Sequence, residues 1–210
     1  MPDFSGELLR PRDREYEAAR RLWNAMIDKR PAVIARCRST TDVAAALTQA
    51  RNDGREVAVR GGGHSVSGLS STEGGMMIDL QPISRVVVDP DAREARVGGG
   101  TLLGEMDRAT HAYGLATTGG MVHHTGVGGL TLGGGYGWLA RLHGLACDNL
   151  ISAEVVTASG DIVRAAEDEN AELFWAMRGG GGNFGIVTEF EFRLHAVAPV
   201  LSVQFRFGAR

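Results

Sequence analysis

Apolar positions along the chain recur at two spacings, and the spacing divides it into elements. Residues 32–37 alternate, and Glu56-Val57-Ala58-Val59 and Met76-Met77-Ile78-Asp79-Leu80 are short apolar runs, the pattern of half-buried and buried strands. Between the first two, Val43, Ala46, Leu47 and Ala50 fall three or four residues apart. Ser39-Thr40-Thr41-Asp42 offers an N-cap ahead of them and Asn52-Asp53-Gly54 a stop, so a helix is predicted there. Strand, helix and strand make a β-α-β unit with a glycine turn after its second strand. Upstream, one helix is predicted over residues 15–28, with Ala18, Leu22, Trp23 and Met26 on one face and Pro31 closing it.

Further along, residues 85–89 and 94–97 flank Pro90-Asp91-Ala92, a hairpin signal, and Gly98-Gly99-Gly100 ends the pair. Thr101 is the expected cap of a helix through Leu103, Met106 and Ala109 to Tyr113. Between residues 119 and 137 glycines are too dense to assign an element. Residues 138–143 predict a short helix, 151–158 and 162–164 a pair of strands, and Asn170 caps a helix through Leu173, Phe174, Trp175 and Met177. Residues 186–194 alternate as a last strand. This mixed order, with hairpins late in the chain, predicts an α+β fold rather than a doubly wound sheet.

Composition narrows the class. With 210 residues the chain is long enough for one sizeable core or two small lobes. Glycine stands out: 30 residues, about twice the usual ~7% share, clustered and without a Gly-X-Y period. Clustered glycine marks places where backbone must approach something closely. The net charge of −3, with no basic stripe, argues against a nucleic-acid partner. No apolar run of about 18 residues and no early apolar segment predict neither membrane span nor signal peptide. Cys37 and Cys147 are too few and too far apart for a disulfide framework, which points to the cytoplasm.

The candidate chemistry centres on Arg60-Gly61-Gly62-Gly63-His64-Ser65-Val66-Ser67-Gly68. Consecutive glycines let backbone N–H groups form a concave anion site, and Arg60 adds a fixed positive charge. A loop built only to hold phosphate does not need the imidazole of His64. Gly180-Gly181-Gly182-Asn183-Phe184-Gly185 has the spacing of a dinucleotide fingerprint, but a helix precedes it and a strand follows, the reverse of what that motif requires. Neither Ser65 nor Ser67 has the glycines of a hydrolase elbow on both sides. His123 and His124 are adjacent and the other histidines scattered, so no metal is expected.

Four ordered blocks carry a family resemblance: the loop at residues 60–68; residues 119–129; Gly133-Gly134-Gly135-Tyr136-Gly137 with Gly144-Leu145-Ala146-Cys147-Asp148-Asn149; and residues 174–188. Together they resemble the FAD-linked oxidases with a PCMH-type FAD-binding domain, the vanillyl-alcohol-oxidase superfamily, and are most similar to its berberine-bridge-enzyme-like branch. The resemblance implies a two-lobed α+β domain over residues 30–197, with lobes at about 30–100 and 101–197. Residues 1–29 would be an extension, and 198–210 the start of a substrate domain not present in the chain. It implies FAD, bonded covalently through its 8α-methyl to His64. Arg60, the backbone of Gly61, Gly62, Gly63, His64 and Ser65, and Gly68 would serve the pyrophosphate loop. Gly119, Gly120, Thr125, Gly126 and Gly129, with Gly133, would let the second loop lie against the cofactor, Thr125 tuning O2 access. Gly185, Ile186 and Val187 would meet the adenine or ribose side, and Tyr136 the ring face. Members with a second, cysteinyl link have a cysteine where this chain has Val122, so one link is expected. The implied activity is oxidation of a small organic alcohol, sugar or amine, with O2 or another acceptor taking the electrons. The catalytic base usually comes from the part beyond this chain. A flavin-binding module or truncated fragment without turnover is the alternative, and a flavin-independent or hydrolytic protein sharing only the glycine loops is the third reading.

Overall fold

The computed structural model describes residues 4–197; the expected start of a further domain at 198–210 lies outside the described residues. The chain begins with β1 (Glu7–Leu9), α1 (Tyr16–Ala19), β2 (Val33–Arg36), α2 (Thr40–Asn52), β3 (Val57–Arg60) and β4 (Met76–Asp79). The four strands form one sheet in the order β1-β2-β4-β3. The two neighbours of β4 run parallel to it, with Val33 and Val57 both opposite Met76. β4 takes the central place because all four of its residues are buried, whereas β3 has a single fully buried residue. Edge strand β1 pairs antiparallel with β2, so part of the N-terminal extension is hydrogen-bonded into this sheet.

The helix expected over residues 15–28 shrinks to the single turn of α1. Its partners lie elsewhere. Tyr16 is fully buried and its hydroxyl donates to the Pro31 carbonyl at 2.6 Å. Trp23 N–H donates to Gly63 O at 3.1 Å, and Asn24 Nδ2 donates to Val66 O at 2.9 Å. The Trp23 N–H that would continue the helix is committed to the glycine loop instead.

Helix α2 is the joint between the lobes. Val43, Ala46, Leu47 and Ala50, the predicted stripe, are buried against the first sheet and against Val156 and Ile186 of the second. Ser39 is extended, and its hydroxyl accepts from Asp42 N–H at 3.1 Å, the N-cap geometry the sequence predicts. Thr40 donates to Glu154 at 2.5 Å, tying the start of the helix to the second sheet.

The second lobe contains β5 (Val86–Asp89), β6 (Glu94–Gly98), α3 (Leu103–His111), β7 (Leu115–Ala116), α4 (Val127–Leu132), α5 (Ala140–His143), β8 (Leu150–Val156), β9 (Ile162–Ala166), α6 (Ala171–Met177), β10 (Ile186–Arg193) and β11 (His195–Ala196). Five of these strands form an antiparallel sheet, β5-β6-β10-β8-β9, and β11 pairs with β7. The expected boundary near residue 100 is therefore misplaced: the hairpin of β5 and β6 belongs to the second sheet, where β6 pairs with β10. Phe190 and Phe192 of β10 anchor the main core with Val97, Leu103 and Met106.

Two local readings change. The dense-glycine zone contains a helix, α4, held by burial of Val127 and Thr131 and by Val127 N–H donating to Thr101 O at 2.9 Å. Thr101 does not cap α3; Leu102 stands at that position, and its N–H donates to the Glu105 carboxylate at 2.8 Å.

Asp42 yields a test. Its carboxylate is fully buried, and burial opposes its charge, but Arg38 N–H, Ser5 N–H and the Ser5 hydroxyl donate to it and hold its pKa below the ordinary 3.8. Because the folded pKa is depressed, its contribution is present above about pH 4 and lost as the pH falls through the folded value. Asp42→Ala should lower unfolding free energy by about 2–4 kcal/mol at pH 7, read by urea titration, and the gap to the parent protein should narrow below pH 4.

Candidate functional site

Two glycine loops meet backbone to backbone at the lobe junction. A Cβ added at Gly62 would overlap the Gly126 amide nitrogen and lie 2.6 Å from Gly126 Cα; one at Gly126 would overlap Gly62 in return. Neither position tolerates a side chain, so the contact requires glycine on both strands of the crossing. The Gly99 carbonyl abuts both loops: built Cβ atoms at Gly61 and Gly128 would lie 3.2 and 3.1 Å from it. Gly98-Gly99-Gly100 therefore does more than end a hairpin, because Gly99 N–H donates to Thr188 O at 2.8 Å on β10 and Gly100 N–H to Ile83 O at 2.9 Å.

Beside this crossing lies a cavity of about 610 Å³. Gly61, Gly62, Gly63, His64 and Ser65 line one side, Thr125, Gly126, Gly129 and Gly133 another, and Gly185, Ile186 and Val187 a third, so three separated sequence blocks converge. Five expected residues do not line it. Arg60 sits behind the loop, its side chain donating to the Ala19 carbonyl and its Nε buried without a partner. Burial lowers the pKa of Arg60 and nearby Asp79 offsets this, while burial raises that of Asp79. Gly68 packs on Ile27. Gly119 and Gly120 face Leu103 and Leu130, and a Cβ at Gly137 would overlap the Gly119 carbonyl, so these glycines serve a second chain crossing. Tyr136 is 66% exposed and away from the cavity.

Sequence reasoning missed several wall residues. Val59, Leu80 and Phe190 are apolar core positions whose cavity edge no motif marks. Gly181, Gly182 and Asn183 belong to the segment rejected as a dinucleotide fingerprint; its helix-then-strand order is as expected, yet it lines the cavity through a short 3-10 turn.

His64 is the only titratable side chain among the described residues that line the cavity. Its ring stacks on Trp23 at 5.1 Å between centroids and 17° between planes. Its Nε2 lies 2.6 Å from Nδ1 of His124, and its Nδ1 3.5 Å from the Thr125 hydroxyl. Burial, and secondarily the neighbouring His124, holds the His64 pKa below the ordinary 6.5, so the ring is neutral at pH 7. Trp23 and His124 were not singled out as site residues; the adjacent histidines at 123–124 were the available signal.

The walls suit a dinucleotide flavin. A Cβ at Gly129 or Gly182 would meet no atom within 4 Å, so both glycines open directly onto space a ligand can fill. Ser65, Ser70, Thr125 and Asn183 are polar residues among otherwise glycine-lined and apolar walls, the usual make-up of a cofactor pocket. Cys147 is buried in a turn and no cysteine among the described residues lines the cavity, while Val122 is exposed outside it. No group of three or more His, Cys, Asp or Glu side chains among the described residues could hold a metal ion.

Comparisons with known proteins agree with that fit. A family model described as "FAD binding domain" matches residues 31–166. The chain is 41% identical to (R)-6-hydroxynicotine oxidase of Paenarthrobacter nicotinovorans over 91% of its own length and 42% of the relative's. It superimposes on the crystal structure of 6-hydroxy-D-nicotine oxidase from Arthrobacter nicotinovorans with a TM-score of 0.91 at 40% identity, covering 92% of this chain and 43% of that one. The berberine-bridge-enzyme-like protein BBE-like 1 (variant D396N) of Physcomitrella patens gives 0.89 at 31% identity, covering 93% and 43%. Glucooligosaccharide oxidase from Acremonium strictum, described as carrying a 6-S-cysteinyl, 8α-N1-histidyl FAD, gives 0.85 at 40% identity, covering 90% and 40%. The chain thus spans less than half the length of each of these proteins.

Two substitutions separate the crossing from the cavity wall. Gly62→Ala should destabilise the fold by at least about 2 kcal/mol, visible as a lowered melting temperature, because backbone must shift to admit the methyl. Gly129→Ala should leave the melting temperature unchanged or slightly higher, since alanine favours helix by up to about 1 kcal/mol, yet weaken FAD binding at least tenfold in a fluorescence titration.

Proposed function

The chain belongs to the FAD binding domain family, of the PCMH type, and on that premise we propose that it is the cofactor-binding part of an FAD-dependent oxidoreductase of the sugar- or nicotine-oxidase kind. The observation that carries the reading is the glycine-walled cavity with a single titratable group, His64, on its wall. FAD supplies the two-electron acceptor for an alcohol, sugar or amine substrate and passes the electrons to O2 or another acceptor.

The protein's own contributions follow from the walls. Backbone N–H groups of residues 61–65 hold the pyrophosphate, where absence of side chains permits close approach. Residues 185–187 meet the adenine or ribose side. Thr125, Gly126 and Gly129 lie along the flavin, and Thr125 stands where it bears on O2 access. Arg60 acts from behind the loop through its charge rather than by contact. His64 tethers the flavin, as a histidine does in glucooligosaccharide oxidase. No cysteine among the described residues lines the cavity, and we propose a single link. The functional domain runs over residues 30–197 with the preceding segment packed onto it, and a reducing cytoplasm suits its two free, buried cysteines.

With His64 occupied by the tether, no other titratable side chain on the described wall is free to act as a base toward substrate. Substrate selection and proton removal therefore depend on groups outside the cavity described here, and a flavin-binding role without turnover by this chain alone is the second reading that the same observation favours.

Denaturing gels scanned for flavin fluorescence, with mass spectrometry of the His64 peptide, test the assignment. The parent protein should carry one flavin mass on that peptide. His64→Ala should abolish the fluorescent band while FAD still binds reversibly; a tethered cofactor that persists in the variant overturns the assignment. Oxygen consumption with added alcohols, oligosaccharides or cyclic amines then separates turnover from binding alone.

A further inference from the structure

The His64 ring is held by more than its own loop. Trp23, from the segment before β2, stacks on one face, and His124, from the second glycine loop, tilted by 39° to the His64 ring, meets Nε2 with its Nδ1 at 2.6 Å. At that distance one nitrogen donates and the other accepts; two lone pairs or two N–H groups facing each other would forfeit the bond. Two arrangements satisfy it. In one, His64 donates from Nε2–H to a bare Nδ1 of His124, and both rings are Nε2–H tautomers, the form neutral histidine prefers. In the other, both rings take the less favoured Nδ1–H form. The Thr125 hydroxyl, 3.5 Å from Nδ1 of His64, serves as donor or acceptor and does not oppose the first. A ring flip of His64 would break the bond to His124, and the stacked indole leaves the ring little freedom to make one.

We propose that His124 is a positioning residue and proton acceptor for flavin attachment: it fixes His64 as the Nε2–H tautomer, leaving the Nδ1 lone pair on the Thr125 side, toward the cavity, as the attacking atom. The inference rests on the reading that His64 is the tether. In the attachment a C–H bond of the flavin's 8α-methyl breaks and a C–N bond to Nδ1 forms. The methyl proton and the Nε2 proton leave, the latter to His124 Nδ1. The two electrons reduce the flavin ring and pass to dioxygen, so one FAD, one neutral imidazole and one O2 give the linked FAD and one hydrogen peroxide. Without a partner at Nε2 the ring would have to shed that proton unaided, and its nucleophilic nitrogen would not be selected.

The test needs no turnover. In flavin-free protein with 15N-labelled histidine, two-bond proton–nitrogen spectra report which nitrogen of His64 carries hydrogen. The expected result is a protonated Nε2 and bare Nδ1 in the parent protein, and a mixture of tautomers in His124→Ala. On adding FAD under air, covalent flavin at the His64 peptide should form at least tenfold more slowly in His124→Ala, while reversible FAD binding is retained. A parent His64 protonated at Nδ1, or an unchanged rate in the variant, overturns the proposal. Flavin found on a different residue, or none covalently bound, refutes the tether reading instead, and the parent tautomer then decides the role of His124 alone. The parent spectrum also decides it if His124→Ala does not fold.

Discussion

Everything at the site depends on one contact, the crossing of two backbones at Gly62 and Gly126 with no room for a side chain on either. The first loop leaves the first sheet at the end of β3, and the second enters α4 in the antiparallel lobe. Their direct contact brings the lobes to within backbone distance. It also lets Gly61, Gly63 and His64 share a cavity with Thr125 and Gly129, more than sixty residues later. The Gly99 carbonyl abuts both loops, while its N–H is tied to β10 and that of Gly100 to Ile83, in the connection between β4 and β5. Glycine serves close chain crossings at Gly62, Gly126 and Gly137 and turns with positive φ at others such as Gly54 and Gly114, and the cavity lies beside one of the crossings.

Helix α2 and the N-terminal segment stabilise the crossing from opposite sides. The helix buries one stripe against both sheets, with Asp42 hydrogen-bonded to Ser5 and Arg38 at its start, so its position in turn fixes where β10 stands relative to β4. The segment around Trp23 and Asn24 spends its backbone and amide hydrogen bonds on residues 63 and 66 and so covers the loop that carries His64. A helix over residues 15–28 would have satisfied the same groups internally, but it would have left the loop carbonyls unpaired.

The fit to relatives extends over nearly the whole chain. Superposition at TM-scores of 0.85 to 0.91 with 31 to 40% identity covers 90 to 93% of it, both sheets and the loops between them included. No cysteine among the described residues lines the cavity, and Val122 lies outside it.

Most elements were legible in the sequence because their causes are local. The stripe of α2, its Ser39 cap, the alternation of β10 and the hairpin of β5 and β6 are each set by residues within one or two turns of each other, and the family blocks named FAD by type and order. Apart from the cap of α3, which falls on Leu102 rather than Thr101, what failed was non-local. Pattern alone cannot say that β4 inserts between β2 and β3, that β5 and β6 join the second sheet, or that residues 20–28 bond to a loop forty residues away, since those depend on which surfaces bury one another. The same distinction separates the glycines: sequence density marks all of them equally, and only the packed chain shows that Gly129 faces open cavity while Gly119 and Gly120 face leucines. The tertiary structure alone sets the hydrogen-bond partner of His64, because a bond between residues 64 and 124 exists only once the two loops have crossed.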